Sequence, residues 1–280
     1  MTKPETRILP RRTEGLGASL QRISAMALRH WYLVAGSWPR VLDMAYWPSV
    51  QILLWGFMQS YLATVSGTFA HGVGVLLGAA LLWDVFFRSQ VGLTVTFLEE
   101  IWSRNLGHIL VSPLRPAEYL ASLLVVSAAR TLIGLALAST VAALVFHFSI
   151  LDFGVPLIAL FLNLAMFGWT MGLLVAGLVL RYGQGAESLA WALAVGFAPL
   201  CAVYYPIATL PGWVQGISRA LPPSHVFEGM RALVFQHTLR WDSLAAASAL
   251  NTLYFSAAVV SFFLMLGAAR RRGTILSLGE

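Results

Sequence analysis

Six long apolar runs, separated by shorter polar segments, set the pattern of this chain. Each run reaches or nearly reaches the roughly 20 residues that an α-helix needs to cross a hydrocarbon core. The runs are continuous and lack the short alternating pattern of membrane β-strands, so they predict helices. The expected spans are Ala45–Val65, Val73–Phe97, Ala117–Phe146, Val155–Leu180, Ala186–Tyr204 and Leu244–Ala268.

The segment before the first span is amphipathic. Residues 16–40 place Leu20, Ile23, Ala27, Trp31 and Val34 on one helical face and arginines elsewhere. This pattern predicts an interfacial helix, with an extended start of the first span as the alternative. Residues 1–15 and 269–280 are expected to be polar tails on the cytoplasmic side.

A polar island, Phe97–Pro116, separates the second and third runs. Its apolar positions Ile101, Leu106, Ile109 and Leu110 recur at helical spacing, which predicts one short amphipathic helix. Pro113 then ends the helix and Pro116 suits the first turn of the next one. Such a helix on one face of a membrane protein offers a surface for a partner.

The segment Tyr205–Asp242 is too apolar for a free loop and too rich in proline for a span. We expect two short helices that dip into the outer leaflet, the second over His225–Phe235 with Ser224 as its cap. Irregular backbone at that depth must be covered by protein or face water. The segment should therefore pack against the outer mouth of the bundle.

Composition supports a membrane protein with one domain. Of 280 residues, 58% are hydrophobic and only 11% charged, whereas soluble domains have about 25% charged residues. The one cysteine, Cys201, excludes an internal disulfide and fits a buried small side chain. Lys3 is the only lysine, so the chain has no P-loop, and any ATP and magnesium must be bound by another chain.

The basic residues predict the orientation. With both termini inside, the inner segments hold 13 of the 18 lysines and arginines and the outer segments hold three. Since basic residues favour the cytoplasmic side, the island Phe97–Pro116 is expected to face the cytoplasm.

Charged and aromatic residues within the spans are candidates for a substrate path. Asp84 and Arg88 lie four residues apart on one helical face, and Arg130 lies deep in the third span. Intramembrane charges usually face the bundle interior and pair, so these three either hold a polar group of a substrate or neutralise one another. Trp55, Trp83 and Phe86 could line a groove for an acyl chain or a sugar, although packing is the plainer interpretation.

The pattern resembles the permease subunits of type-2 ATP-binding-cassette (ABC) exporters. The resemblance begins near Leu16 and comprises an amphipathic first helix, six spans, the motif FLEEIWSRNLGHILVSPLRP at Phe97–Pro116, and PSHVFEGMR at Pro223–Arg231. Similar family members include nodulation-factor, drug and polysaccharide exporters. The resemblance implies a unit of two permeases and two ATPase chains, with the substrate path along the permease interface.

The resemblance also assigns residues. The coupling helix that docks into the ATPase would present Glu99, Glu100, Arg104, Leu106 and His108. The segment that caps the exit would carry Trp213, Glu228 and Arg231. We therefore expect an export permease in a bacterial inner membrane that moves an amphiphilic or lipid-linked substrate, has no catalytic residue, metal or nucleic-acid partner, and contacts lipid and a second copy.

Two other functions remain as alternatives. A membrane-embedded binding or assembly protein for haem or quinone would need histidine, tyrosine or arginine side chains converging at one depth. An enzyme acting on a lipid-linked substrate would rely on Glu99 or Glu100 with His108, but the nine residues from Glu99 to His108 place these groups on different sides of a helix.

Overall fold

The structure, a computed structural model, describes residues 15–65 and 74–273. Every regular element in these two ranges is a helix. The α-helices are α1 (Leu16–Ala35), α2 (Trp38–Val65), α3 (Val75–Trp102), α4 (Leu106–Val111), α5 (Pro116–Phe146), α6 (Pro156–Tyr182), α7 (Ser188–Leu200), α8 (Gly212–Ala220), α9 (Pro222–Gln236) and α10 (Trp241–Arg272).

Helix α3 is the central element of the bundle. It packs against α5 and α6, and α6 in turn packs against α10. Buried side chains follow α3 from Leu77 to Ile101, whereas α10 buries only one side. Helix α3 therefore contacts α2, α5, α6, α7 and α9.

Small residues on α6 allow the close contact with α3. A Cβ atom at Gly168 would lie 2.6 Å from the carbonyl oxygen of Phe86, and one at Gly172 would lie 3.0 Å from that of Gln90. Small residues permit such backbone contact between membrane helices. On the other side of α6, the Asn251 amide donates to the Asn163 side-chain oxygen at 2.9 Å and joins α6 to α10.

Four described helices are long and apolar enough to cross a membrane, namely α3, α5, α6 and α10. They coincide with the predicted second, third, fourth and sixth spans. The predicted first span lies within α2, a helix of 28 residues that begins at Trp38. The helical class is thus confirmed, and the structure adds no support for the count of six.

The predicted fifth span is shorter than expected. Helix α7 has 13 residues and ends at Leu200, so it is about 20 Å long and cannot cross a core of about 30 Å alone. The apolar run continues to Tyr204, but its backbone leaves the helix, and Ala202 has a φ of 50°. Apolar composition predicted a helix in this run, but it did not reveal that the helix ends at Leu200.

Three predicted boundaries are wrong. The expected helix over Phe97–Pro116 is instead the last turns of α3, a turn at Ser103–Asn105 and the six-residue α4. The interfacial segment 16–40 is divided at Gly36 and Ser37 between α1 and α2. Helix α9 begins at Pro222, so Ser224 lies inside it, and its hydroxyl lies 3.1 Å from that of Ser218.

The bundle has two ends that differ in their polar groups. At one, here called the α1 end, α1 and α4 meet the last turns of α3 and the first turns of α5. At the other, the α9 end, α8 and α9 pack near the start of α10.

Candidate functional site

Glu100 is the centre of an ion-pair cluster at the α1 end. Its side chain is 1% exposed although it lies near the end of α3. Both terminal nitrogens of Arg29, on α1, donate to its two carboxylate oxygens, and the Asn105 amide donates to Oε2 at 2.7 Å. The buried carboxylate therefore ties α1 and the turn before α4 to α3.

Two further carboxylates complete this cluster. Glu118, on α5, accepts hydrogen bonds from Arg22 Nε at 2.8 Å, from Arg22 Nη2 at 2.6 Å and from the backbone N–H of Arg115, the N-cap of α5, at 2.9 Å. Glu99 lies 3.3 Å from Arg40 Nη1 and 4.0 Å from Arg130 Nη2. We call Glu99, Glu100 and Glu118 with their arginines the clamp, because they join α1 and the start of α2 to α3 and α5.

His30 is enclosed beside the clamp. Its ring is fully buried, and its Nε2 lies 3.5 Å from a Glu100 oxygen. Burial, helped by the charges of Arg29 and Arg130 and opposed by Glu100, lowers the pKa of His30 from 6.5 to about 4. The ring is therefore neutral at pH 7.

The turn and helix that follow α3 form an exposed tip. Arg104, with a φ of 53°, and His108 are both exposed, and Val111 is 89% exposed. Leu106 and Ile109 instead pack into the core with Phe97 and Tyr119. We call residues 102–115 the tip; its outer surface carries both polar and apolar side chains and rests on an apolar base.

A polar stripe runs along α3 from the clamp into the bundle. Asp84, Arg88, Gly92, Thr96 and Glu99 recur every three or four residues and so share one helical face. Arg88 Nε donates to Asp84 Oδ2 at 2.6 Å, which fits the prediction that charges within the spans neutralise one another. Arg130 Nη1 donates to the Thr96 hydroxyl at 3.1 Å.

The stripe is partly accessible. The side chains of Asp84 and Arg88 are each 12% exposed, between the closed core and the surface. Gly134 on α5 makes room for Arg88, since a Cβ there would lie 2.4 Å from Nε. Arg88 and Arg130 each face a carboxylate, so the stripe as a whole is close to electrically neutral.

The α9 end contains a buried arginine, Arg231. Arg231 donates from Nη1 to the carbonyl oxygens of Ala202 at 2.9 Å and Val203 at 3.3 Å, and from Nη2 to Glu228 at 3.0 Å. The same Glu228 oxygen accepts from the Ile207 N–H at 3.0 Å. We call Glu228 and Arg231 the lock, because they satisfy the backbone groups exposed where α7 ends.

The sequence from α1 to α9 matches the model of one protein family. The model is described as ABC-2 type transporter, and it matches residues 22–235. The chain belongs to this family. The match includes the clamp, the tip, the stripe and the lock, and no curated protein matches the chain.

Membership of the ABC-2 family gives the chain its general role. The chain is the membrane-embedded permease component of an ABC transporter, and such a domain is not catalytic by itself. ABC-2 permeases normally work with an ATPase subunit. Within the described ranges, no three His, Cys, Asp or Glu side chains lie together in a way that would hold a metal ion.

The residues assigned from the ABC-2 resemblance divide into exposed and interior positions. Arg104 and His108 lie on the tip surface, and Trp213 is 75% exposed on α8. Glu99, Glu100 and Leu106 face the interior, as does Arg231 of the lock, whereas Glu228 is 27% exposed.

The three aromatic residues predicted for the path also differ in how deeply they are buried. Trp83 and Phe86 lie in the main core, their rings 4.5 Å apart, and Phe86 is fully buried. Trp55 is half-buried and stacks on Tyr204 with ring centroids 3.9 Å apart. Of the three, only Trp55 is partly exposed.

Several important residues have no clear signal in the sequence. Arg22, Arg29 and Glu118 of the clamp were not singled out, although Arg22 and Arg29 were visible as basic positions on an amphipathic segment. Tyr204 was assigned to the end of a span, and only its stacking on Trp55 gives it significance.

Proposed function

We propose that the chain is one permease of an ATP-driven exporter that moves an amphiphilic or lipid-linked substrate across a bacterial inner membrane. A separate subunit hydrolyses ATP, and two copies of the chain form the pathway. The clamp is the observation that carries this proposal, because it joins the exposed tip to the helices that surround the stripe.

The tip supplies a surface for the ATPase subunit. Arg104 and His108 are polar and exposed, while Leu106 and Ile109 fix the short helix to the core. Leu106 thus supports the surface from below. Glu99 and Glu100 hold the tip from inside and do not form its surface.

The clamp makes the tip a rigid extension of the bundle. Arg29 and Arg22 join α1 to α3 and α5, so a force on the tip moves these helices together. The Trp102 indole also donates to Glu187 at 3.3 Å, which links the end of α3 to the segment before α7. Closure of an ATPase pair would in this way move both α3 and α7, which lie on either side of the proposed path.

The path in this proposal follows the stripe on α3, with α2 and α7 beside it as the predicted first and fifth spans. The neutral stripe contains both donors and acceptors, which suit the polar head of an amphiphile. The stacked Trp55 and Tyr204 provide an apolar surface near Asp84 for its acyl or sugar part.

Basic residues support an orientation with the tip in the cytoplasm. Arg104, Arg115, Arg181 and Arg270–Arg272 all belong to the α1 end, whereas Arg219, Arg231 and Arg240 belong to the α9 end. This asymmetry follows the positive-inside rule. Both termini would then be cytoplasmic, and the lock and α8 would cap the exit.

Charge reversal on the tip tests the coupling role. Arg104→Glu should abolish stimulation of the ATPase subunit by the permease while leaving membrane insertion intact, because an exposed side chain contributes little to folding. Arg271→Glu, an exposed reversal on α10 at the same end, serves as the control. Normal stimulation with Arg104→Glu, or equal loss in both variants, would contradict docking through the tip.

A further inference from the structure

A groove at the α9 end is not used by the coupling proposal. A cavity of about 400 Å³ lies between α8, α9 and the start of α10, and Arg219, Gln215, His225 and Ser243 line it. A cavity of about 190 Å³ shares Pro206, Glu228 and Arg240 with it and extends past Phe235. The larger volume is within the range of small-molecule sites.

The carboxylates around this groove already have arginine partners. Glu228 pairs with Arg231 at 3.0 Å, and Asp242 pairs with Arg240 at 2.9 Å. Arg219 differs from these two arginines. Its Nη2 donates to the neutral amide oxygen of Gln215 at 3.5 Å. Among the described residues, no carboxylate lies close enough to the Arg219 guanidinium to form an ion pair.

The surroundings of Arg219 are held in place. His225 Nε2 and the Arg219 carbonyl oxygen are 2.8 Å apart, which ties the last turn of α8 to the first turn of α9. The Tyr254 hydroxyl donates to the Ala220 carbonyl oxygen at 3.0 Å and connects the same turn to α10. The backbone that carries the Arg219 side chain is therefore held in place, and its guanidinium has N–H donors available for a ligand.

We infer that this groove binds an anionic group of an amphiphile, such as a phosphate, sulfate or carboxylate. Arg219 would donate to the anion together with Gln215 or Ser243, while Arg231 balances the nearby charge of Glu228. The apolar part would lie along Ile207 and Phe235. The ligand is either the cargo on its way out or a lipid of the surrounding bilayer.

The site can be tested without transport or ATP hydrolysis, so its failure would not affect the coupling proposal. Ala208 is exposed and lines the groove, whereas the native Cys201 is fully buried. Ala208→Cys therefore introduces one reactive thiol at the site. The experiment measures its protection from a maleimide in phosphatidylcholine nanodiscs by dihexanoyl phosphatidic acid, with dihexanoyl phosphatidylcholine as the matched neutral amphiphile.

We expect phosphatidic acid to protect the thiol at a lower concentration than phosphatidylcholine. Arg219→Gln should raise the protecting concentration about tenfold or more, as loss of a charged hydrogen bond implies. Arg219→Lys should raise it less, and Arg271→Gln, at the opposite end, should leave it unchanged. Equal protection by the two amphiphiles, or no effect of Arg219→Gln, would overturn the site.

The source of the ligand is determined with the chain from its own membrane. Native mass spectrometry that finds an anionic lipid on the wild type and not on Arg219→Gln supports the site and assigns it to lipid. Phosphatidic acid protection that depends on Arg219, without such a lipid, supports the site and assigns it to cargo. Retention of the same lipid by Arg219→Gln, without Arg219-dependent protection, would overturn it.

Discussion

The two ends of the bundle use the same residue types over different distances along the chain. At the α1 end, Arg29 and Glu100 are 71 positions apart, and Arg22 and Glu118 are 96 apart. At the α9 end, Arg231 and Glu228 are three apart, and Arg240 and Asp242 are two apart. Pairs between residues distant in sequence join separate helices. Pairs between residues close in sequence lie where a helix ends or begins.

Under the proposed function, this difference makes the α1 end the one that transmits movement. Loss of the clamp would remove the ion pairs that join α1 to α3 and α5. Loss of the lock would leave the carbonyl groups of Ala202 and Val203 without their donor. Substitutions at the two ends should therefore differ in how much they lower the free energy of unfolding and in whether they reduce ATPase stimulation.

The largest effect is expected from Arg29→Met. It leaves the Glu100 carboxylate buried with only the Asn105 amide as a strong donor, which should lower the free energy of unfolding by about 4 kcal/mol. Thermal unfolding in detergent measures the loss. Arg29→Met combined with Glu100→Gln should recover part of it, and no recovery would show that the pair is not the cause.

A smaller effect is expected from Arg231→Met in the lock. The carbonyl groups of Ala202 and Val203 lose their donor, which should lower the free energy of unfolding by about 3 kcal/mol. Arg231→Lys should lose less because it keeps a donor. If ATPase stimulation falls as much as for Arg29→Met at equal folded fraction, the assignment of transmission to the clamp fails.

Acid should weaken the clamp through His30. The pKa of His30 is about 4 in the folded chain and 6.5 in the unfolded one, so the unfolded state binds more protons between these values. Stability present above pH 6.5 is lost as the pH falls towards 4, by about 2 kcal/mol at pH 5. His30→Gln should reduce this slope between pH 7 and 5, and an unchanged slope would mean that another group is responsible.

The smallest effect is expected from Asp242→Asn. Asp242 is 68% exposed, and exposed ion pairs add little to stability because water screens them. The midpoint of unfolding should be unchanged within measurement error. A clear shift would mean that the near pairs at the α9 end also join helices.

Much of the helical layout was predictable, because length and apolar composition alone identify α3, α5, α6 and α10. The stripe was partly predictable as well, since Asp84 and Arg88 lie at helical spacing on an apolar run. Both features, the long apolar helices and the spacing of Asp84 and Arg88, depend on residues close together in the sequence.

Distant pairing was not predictable. The residues of the tip suggested one helix, but buried Glu100 binds Arg29 on α1 and the Asn105 amide, and α3 then ends in a turn at Ser103–Asn105. The end of α7 depends in the same way on Arg231, which lies 29 positions beyond Ala202 and supplies the donor that the broken helix needs. Apolar runs do not reveal such partners.

The proposed function requires this permease to couple to a separate ATPase through the tip. The most direct measurement is purification of the chain from its native membrane in mild detergent, followed by an ATPase assay of the product. We expect an ATP-hydrolysing subunit to copurify with the wild type and with Arg271→Glu, and to be lost with Arg104→Glu. A chain that purifies alone, does not respond to ATP and carries a coloured cofactor would contradict the account.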